Sequence, residues 1–513
     1  MSYIVEQKIK GNIYLYRVES YWDKTKKQAR QKRIYIGPKN KKQKKVNFNT
    51  ANIIHKKFGN MFLLKDIAEN LGLRKVLEAT FQKSAADILN LACFFVCDER
   101  ASYLYNHWQD ENYGTGSHLY SAYLSSLYKE LGENQQAVFD FFNKWISMCS
   151  PKSGVYFDIT SLSSYSTQID FVEWGYNRNR ESLLQVNMGI ICERQSQLPL
   201  YYQIYPGSIS DVTTLENCLK RLEYFGVEDV LLIMDRGFCS KANIMRLNRL
   251  KGKFSFIQPL TFSMKLVKQL IKKHRRMVEK MENAFKFNEE VLYHHETPVD
   301  LEWQPFTVHM YYNEKAAIDQ RHSFLARLID TEKEIENKKF ESVKDYLVYR
   351  NECIPNKFIT FFKLNKKKMM IERNTKTISD YLMKAGYFLL LSNSLESNRD
   401  KILDDYRGRD IIEKMFDVEK NELHGNRLRG HTAYNTEGRF FVKFVALILH
   451  SHITKMMKES KLFERYTVRE LLAELGKIRR INIDENIIIS EISKAQRSIF
   501  KAFNINPGMV AKT

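Results

Sequence analysis

Apolar residues change their period near residue 150, and that change divides the chain. Residues 50–150 repeat apolar side chains at helical spacing. Within them, Met61-Phe-Leu-Leu-Lys-Asp-Ile-Ala-Glu-Asn-Leu-Gly-Leu-Arg-Lys-Val-Leu77 reads as two short amphipathic helices around Gly72. Such a pair fits either a DNA-binding helix-turn-helix or an ordinary bundle. From 150 onward, β-branched and aromatic runs predict strands at 154–159, 183–192 and 198–205. A helix at 211 to about 225, a strand at 229–235, a helix at about 240–250 and a strand at 254–258 follow. Three strands, then alternating helix and strand, predict an α/β fold with a mixed sheet.

The flanks follow the same logic. Asn12–Tyr21 and Gln31–Ile36 read as the strands of a hairpin, joined by the polar Asp23–Gln28, and Lys39–Lys45 reads as a cationic linker. Ser210-Asp211 with Thr213 looks like a helix N-terminus, so Asp211 reads as a cap. Residues 265–280 form a basic helix pattern, and 291–295, 305–312 and 386–392 read as strands. The expected organisation is a basic β-hairpin unit (1–45), a helical region (50–150), a core in two parts (151–260 and 381–460), an inserted domain (261–380) and a C-terminal helical region (461–513).

Three segments carry candidate chemistry. Gly154-Val-Tyr-Phe-Asp158 and Asp229-Val-Leu-Leu-Ile-Met-Asp235 are buried-strand patterns that each reach an aspartate before turn-forming residues. Sites in open α/β sheets gather at the carboxyl ends of strands, although a lone aspartate there is also a common cap. The third segment, Asp405 to Lys420, reads as one helix. On it Tyr406, Arg409, Glu413 and Lys420 fall within an arc of roughly 60°. Ile412, Met415, Phe416 and Leu423 form a neighbouring apolar stripe. Arg409 and Lys420 lie off that stripe, so their loss is expected to cost little packing. A surface helix laced with ion pairs would show the same spacing.

Asp158, Asp235 and Glu413 resemble the acidic triad of DDE transposases. The spacing Tyr406-x2-Arg409-x3-Glu413-x6-Lys420 is similar, position for position, to the Tyr-Arg-Glu-Lys signature of the insertion-sequence-four superfamily of bacterial cut-and-paste transposases. The continuation from Leu423 to His431 and the apolar Phe441–Leu449 resemble that superfamily too. Arg427-Leu-Arg-Gly-His431 departs from it, since relatives carry Arg-Pro there. The resemblance implies a ribonuclease H-like core interrupted by a β-rich insertion. It implies two Mg2+ ions, replaceable by Mn2+, with Asp158 bridging them and Asp235 and Glu413 each completing one shell. It also implies Arg409 and Lys420 on phosphates, and Tyr406 on a phosphate or a base. Arg236, next to Asp235, fits a phosphate contact or a structural ion pair equally well.

Composition agrees with a polyanionic partner. Lys and Arg outnumber Asp and Glu 81 to 60 among 513 residues, giving a formal charge of +21. No long uninterrupted apolar run and no signal-peptide pattern is present, and the charge is dispersed in clusters, so nucleic acid is expected and a membrane is not. The seven cysteines lie mostly in apolar runs without zinc-site spacing, as in a cytoplasmic protein. The expected function is therefore transposition: metal-dependent cleavage at the terminal inverted repeats of an insertion sequence, then strand transfer into target DNA by a homodimer. The alternatives are a ribonuclease H-like nuclease without joining activity, or an inactive DNA-binding relic.

Overall fold

The computed structural model describes the chain except residues 1, 10–11, 24–25, 39–52, 115, 117, 167–168, 176–180, 210, 250–252, 336–338, 394–397, 424–426, 429–431, 484–485 and 511–513. The expected Lys39–Lys45 linker, Ser210 and the Arg429–His431 part of the departing loop lie outside the described residues, while Asp211, read as a cap, is the first residue of its helix. Two compact units emerge: residues 1–55 with 480–490, and residues 56–479 with 491–513.

In the first unit, β1 (Ser2–Ile9), β2 (Asn12–Asp23) and β3 (Gln28–Pro38) form an antiparallel meander. The expected hairpin is thus three-stranded, because Ser2–Ile9 pairs along β2 from Ser2↔Glu19 to Ile9↔Asn12. A short strand, β4 (Ile53–Lys57), follows.

The second unit begins with helices between Gly59 and Cys149. The pair around Gly72 buries Leu63, Leu64, Ile67, Leu73, Val76 and Leu77, which is how bundle helices behave. The sheet then forms from β5 (Val155–Ser164), β6 (Leu184–Glu193), β7 (Pro199–Pro206), β8 (Val230–Met234) and β9 (Phe254–Pro259). Helices Asp211–Tyr224 and Lys241–Arg249 make the crossovers. β5, β8 and β9 are parallel neighbours, and β6 and β7 run antiparallel at one edge.

The region read as an insertion does not build a sheet of its own from its first strands. β10 (Ala284–Phe287), β11 (Glu290–Leu301) and β12 (Gln304–Tyr312) extend the central sheet beyond β9. After them, the helices Glu314–Ile335 and Val343–Cys353 and the hairpin β13 (Phe362–Asn365) and β14 (Met370–Arg373) gather around Phe324, Leu328, Ile354 and Phe361. β15 (Tyr387–Ser392) then slots between β12 and β9, giving the order β10-β11-β12-β15-β9-β8-β5-β6-β7.

The helix Ala433–Glu459 is long and apolar enough to cross a membrane by length and composition. Most of that apolar stretch, 78%, is buried within the fold, packed on the helices Ala85–Cys97 and Ser121–Glu133. The last region is not wholly helical as expected: β16 (Arg479–Ile483) and β17 (Asn486–Ile489) form a hairpin, in a three-stranded sheet ordered β17-β16-β4.

Candidate active site

The sheet register brings the two aspartates together. β5 and β8 pair in parallel through Val155↔Leu232, Tyr156↔Ile233 and Phe157↔Met234, so the next residues on the two strands are Asp158 and Asp235. Neighbouring strands lie about 4.8 Å apart and side chains alternate, which aims both carboxylates to one face. β8 ends there. β5 does not: it continues to Ser164 along β6, so Asp158 sits within a strand and not at its end as the sequence suggested. The polar continuation is tolerated because its hydroxyls are satisfied, with Ser161 Oγ donating to Asn187 Oδ1 at 3.0 Å and Ser163 Oγ to Glu181 Oε2 at 2.5 Å.

Glu413 arrives on a helix that is not continuous. A first segment, Arg399–Arg407, is capped by Asn398, which accepts from the N–H groups of Asp400 and Lys401. Asp405 is buried and pairs with Arg194. At Gly408 the chain passes so close to Tyr156 that a Cβ would stand 2.2 Å from its hydroxyl oxygen. A second helix, Asp410–Asp417, runs into a π-helical turn, Val418–Glu422. The expected single helix is therefore interrupted at Gly408 and widened at Lys420, although Ile412, Met415, Phe416 and Leu423 are all buried as anticipated. The wide turn is tied to the long helix by Glu419 with Lys443 at 3.5 Å and by Glu422 with His450 at 3.0 Å. Burial pushes the Glu419 carboxyl up, against the pull of Lys443.

Arg409 is the hub. Its Nη1 donates to Asp158 Oδ2 at 3.0 Å, and its Nη2 lies 3.5 Å from Asp235 Oδ1 and 2.5 Å from Glu413 Oε1. The guanidinium side chain is 13% exposed and that of Asp158 12%. Burial opposes its charge, yet Asp235, Asp158 and Glu413 together hold Arg409 above the usual guanidinium range. Tyr406 lies beneath it, ring centroid 6.0 Å from the guanidinium carbon, with its phenol pushed up mainly by burial. Arg236 is exposed beside Asp235. Lys420 lies on the π-helical turn; the Glu181 carboxyl, held low first by Arg427 at 2.6 and 2.8 Å and by Ser163, also feels its charge. The sequence reading missed both Glu181 and Arg427 as a pair. No local pattern links two residues 246 apart.

Residues 150–449 match a known family, described as "Transposase DDE domain". The chain belongs to that family. The matched span includes Asp158, Asp235, Tyr406, Arg409, Glu413 and Lys420 of the transposase. No curated protein matches the chain. Among solved structures, it is similar to a piggyBac transposase synaptic complex with hairpin DNA, at 12% identity and a TM-score of 0.35, covering 76% of this chain and 69% of that one. It is also similar to a Drosophila P element transposase strand transfer complex, at 13% identity and a TM-score of 0.21, covering 77% and 87%.

The donor set suits hard divalent cations. All three donors are carboxylate oxygens, the ligands Mg2+ and Mn2+ take, and one guanidinium leaves the trio net negative. Among the described residues, no three His, Cys, Asp or Glu side chains are already gathered to hold an ion. In the transposase the carboxylates are instead drawn onto Arg409.

Proposed function

We propose that this transposase cleaves DNA at the ends of an insertion sequence and joins the freed 3′ hydroxyls to target DNA, with Asp158, Asp235 and Glu413 as its catalytic acids. One observation carries the reading. Three acids separated by 77 and 178 residues, one on a strand, one just past the end of its parallel neighbour and one on a helix, all reach a single guanidinium. On this reading the strand–helix order of residues 155–259 is a ribonuclease H-like core, 261–380 is its insertion, and Tyr406, Arg409, Glu413 and Lys420 form the superfamily signature.

Asp158, Asp235 and Glu413 would hold two divalent cations, Mg2+ or Mn2+, which when bound acidify the attacking water or hydroxyl and neutralise the departing oxygen. The rest is done by the chain itself. Arg409, once released from the carboxylates, has the planar fork to grip a phosphate through two parallel N–H bonds. Glu413, half-exposed, is free to turn as Arg409 leaves. Tyr406 keeps its proton and so can donate a hydrogen bond to a phosphate oxygen. Arg236 and Lys420 supply further positive charge along the DNA, and the formal +21 of the chain favours the polyanion over long range. Two copies would be needed to hold two element ends together.

The test uses a supercoiled plasmid carrying the element's native ends. Asp158→Asn and Glu413→Gln should lose cleavage in Mg2+ and in Mn2+, while end binding stays within about twofold, since binding rests on dispersed cations. Recovery of joined target products would separate this enzyme from a nuclease that only cuts. Cleavage near the wild-type rate by Glu413→Gln would sink the assignment.

A further inference from the structure

The first unit carries two unlike surfaces. Cross-strand partners share a face of a sheet, and alternate residues lie on opposite faces. One face of the β1–β3 meander therefore holds Tyr3, Tyr16, Trp22, Tyr35 and Arg33. The contacts agree: Tyr35 packs against Tyr14 and Tyr16 at 5.9 and 5.4 Å, and Gln31 Nε2 donates to Tyr3 Oη at 3.0 Å. Trp22, Tyr35 and Tyr3 are 63%, 54% and 48% exposed. The acids of the meander, Glu6, Glu19 and Asp23, all fall on the opposite face with Arg17, Arg30, Lys32 and Tyr21. Among its described residues, the aromatic face carries no acid.

We propose that this aromatic face binds single-stranded DNA, stacking two or three unpaired bases on Tyr3, Trp22 and Tyr35. Residues 1–38 contain nine Lys or Arg against three acids, so the unit as a whole attracts a polyanion. Rings in such number are poorly suited to duplex DNA, where base faces are already stacked and recognition runs through hydrogen bonds to base edges. Unpaired bases offer their faces, and a sheet bearing aromatics and an arginine is a platform for them. The Arg33 guanidinium, across Val18 from Tyr3 and two residues along β3 from Tyr35, can neutralise a phosphate of the strand whose bases stack there. The choice of DNA over RNA rests on the transposase reading. Breaking a strand at an element end exposes nucleotides that can fray, and this face would hold them.

The experiment measures fluorescence anisotropy of a labelled oligo-dT of about 20 nucleotides, the corresponding duplex, and oligo-rU. The full chain carries Asp158→Asn, and divalent ions are absent, so cleavage plays no part. Trp22→Ala and Tyr35→Ala should each weaken oligo-dT binding by about tenfold, since stacking on one ring is worth about 1–3 kcal/mol per base. Duplex affinity should hold within about twofold, and Tyr21→Ala, on the opposite face, should bind as the parent does. Because Tyr35 contacts two other rings and its variant could disturb the sheet, Trp22→Ala decides if the Tyr35 variant melts early. The inference fails if Trp22→Ala binds oligo-dT like its parent, if the loss is equal for duplex, or if oligo-rU binds more tightly than oligo-dT. It also fails if either variant turns a dimer into a monomer without changing oligo-dT affinity, because the face would then be a self-contact. A chain that cleaves normally yet fails here overturns this inference alone. A chain that binds through this face but never cleaves overturns the catalytic reading alone.

Discussion

A guanidinium touching three carboxylates is at once a structural tie and a stand-in for other positive charge. By spacing along a helix, Arg409 was expected to lie off the packed face and to be removable at little cost. The ion pairs reverse that expectation. Arg409→Ala removes an ion-pair partner from Asp158, itself nearly buried. A loss of about 2–4 kcal/mol is expected, as when one partner of a buried pair is removed, read as a lower urea midpoint at neutral pH. Because the same substitution clears the space between the acids, Mn2+ should raise the melting temperature of the variant more than that of the wild type, by selective binding to the folded state. An equal Mn2+ effect on both proteins would mean that Arg409 and metal do not compete. The residue types of this site were legible in the sequence. The inward turn of Arg409 was not, because two of its three partners lie 251 and 174 residues away.

Elements differ in how much of themselves they reveal. β6, β7, β8 and β9 are apolar runs flanked by turn residues, and they fall within a residue or two of expectation. The far half of β5 hid because Thr160 to Ser164 looks like a turn. Its hydroxyls are paid for by Asn187 and Glu181, which no local window contains. β1 hid for another reason: with neither face cleanly apolar, Ser2–Ile9 shows no period-2 contrast. The break at Gly408 and the π-helical turn after it depend on Tyr156 and Lys443, again distant in sequence. Gly408→Ala should therefore push the start of the Glu413 helix off β5. The expected cost is about 1–3 kcal/mol, with cleavage falling more than stability does. Tyr156→Phe in the same chain removes the nearest clashing atom, and so should restore part of both. If the double variant is no better than Gly408→Ala, the close approach is not what fixes the helix.

The whole molecule should respond to acid through a histidine pair outside the carboxylate cluster. His294 Nε2 and His309 Nδ1 lie 3.2 Å apart between β11 and β12, rings stacked, with Arg399, His295 and Glu296 nearby. Burial first, then His309 and Arg399, lowers His294 to about 3, and burial lowers His309 to about 4. The unfolded chain protonates its histidines near pH 6.5, before the folded chain does. The folded state therefore has this stability in full above pH 6.5 and loses it as pH falls toward 4. Each histidine contributes a slope of up to about 1.4 kcal/mol per pH unit across that window. Urea midpoints measured from pH 7 to pH 4 should fall, and replacing both residues by Phe should flatten the decline. An unchanged slope in the double variant would exclude the pair as its source.

The pairing of β5 with β8 has a consequence for how such chains can vary in length. The distance between Asp158 and Asp235 is set by three rungs of parallel ladder and not by the 76 residues between them. Surface turns between β6 and β7, or before β8, can gain or lose residues without moving either carboxylate. A single residue deleted among Val155, Tyr156 and Phe157 is another matter, because it turns Asp158 to the other side of the sheet. Across descendants of this sequence, drift in length should gather in the turns, while the three residues ahead of each aspartate keep their count.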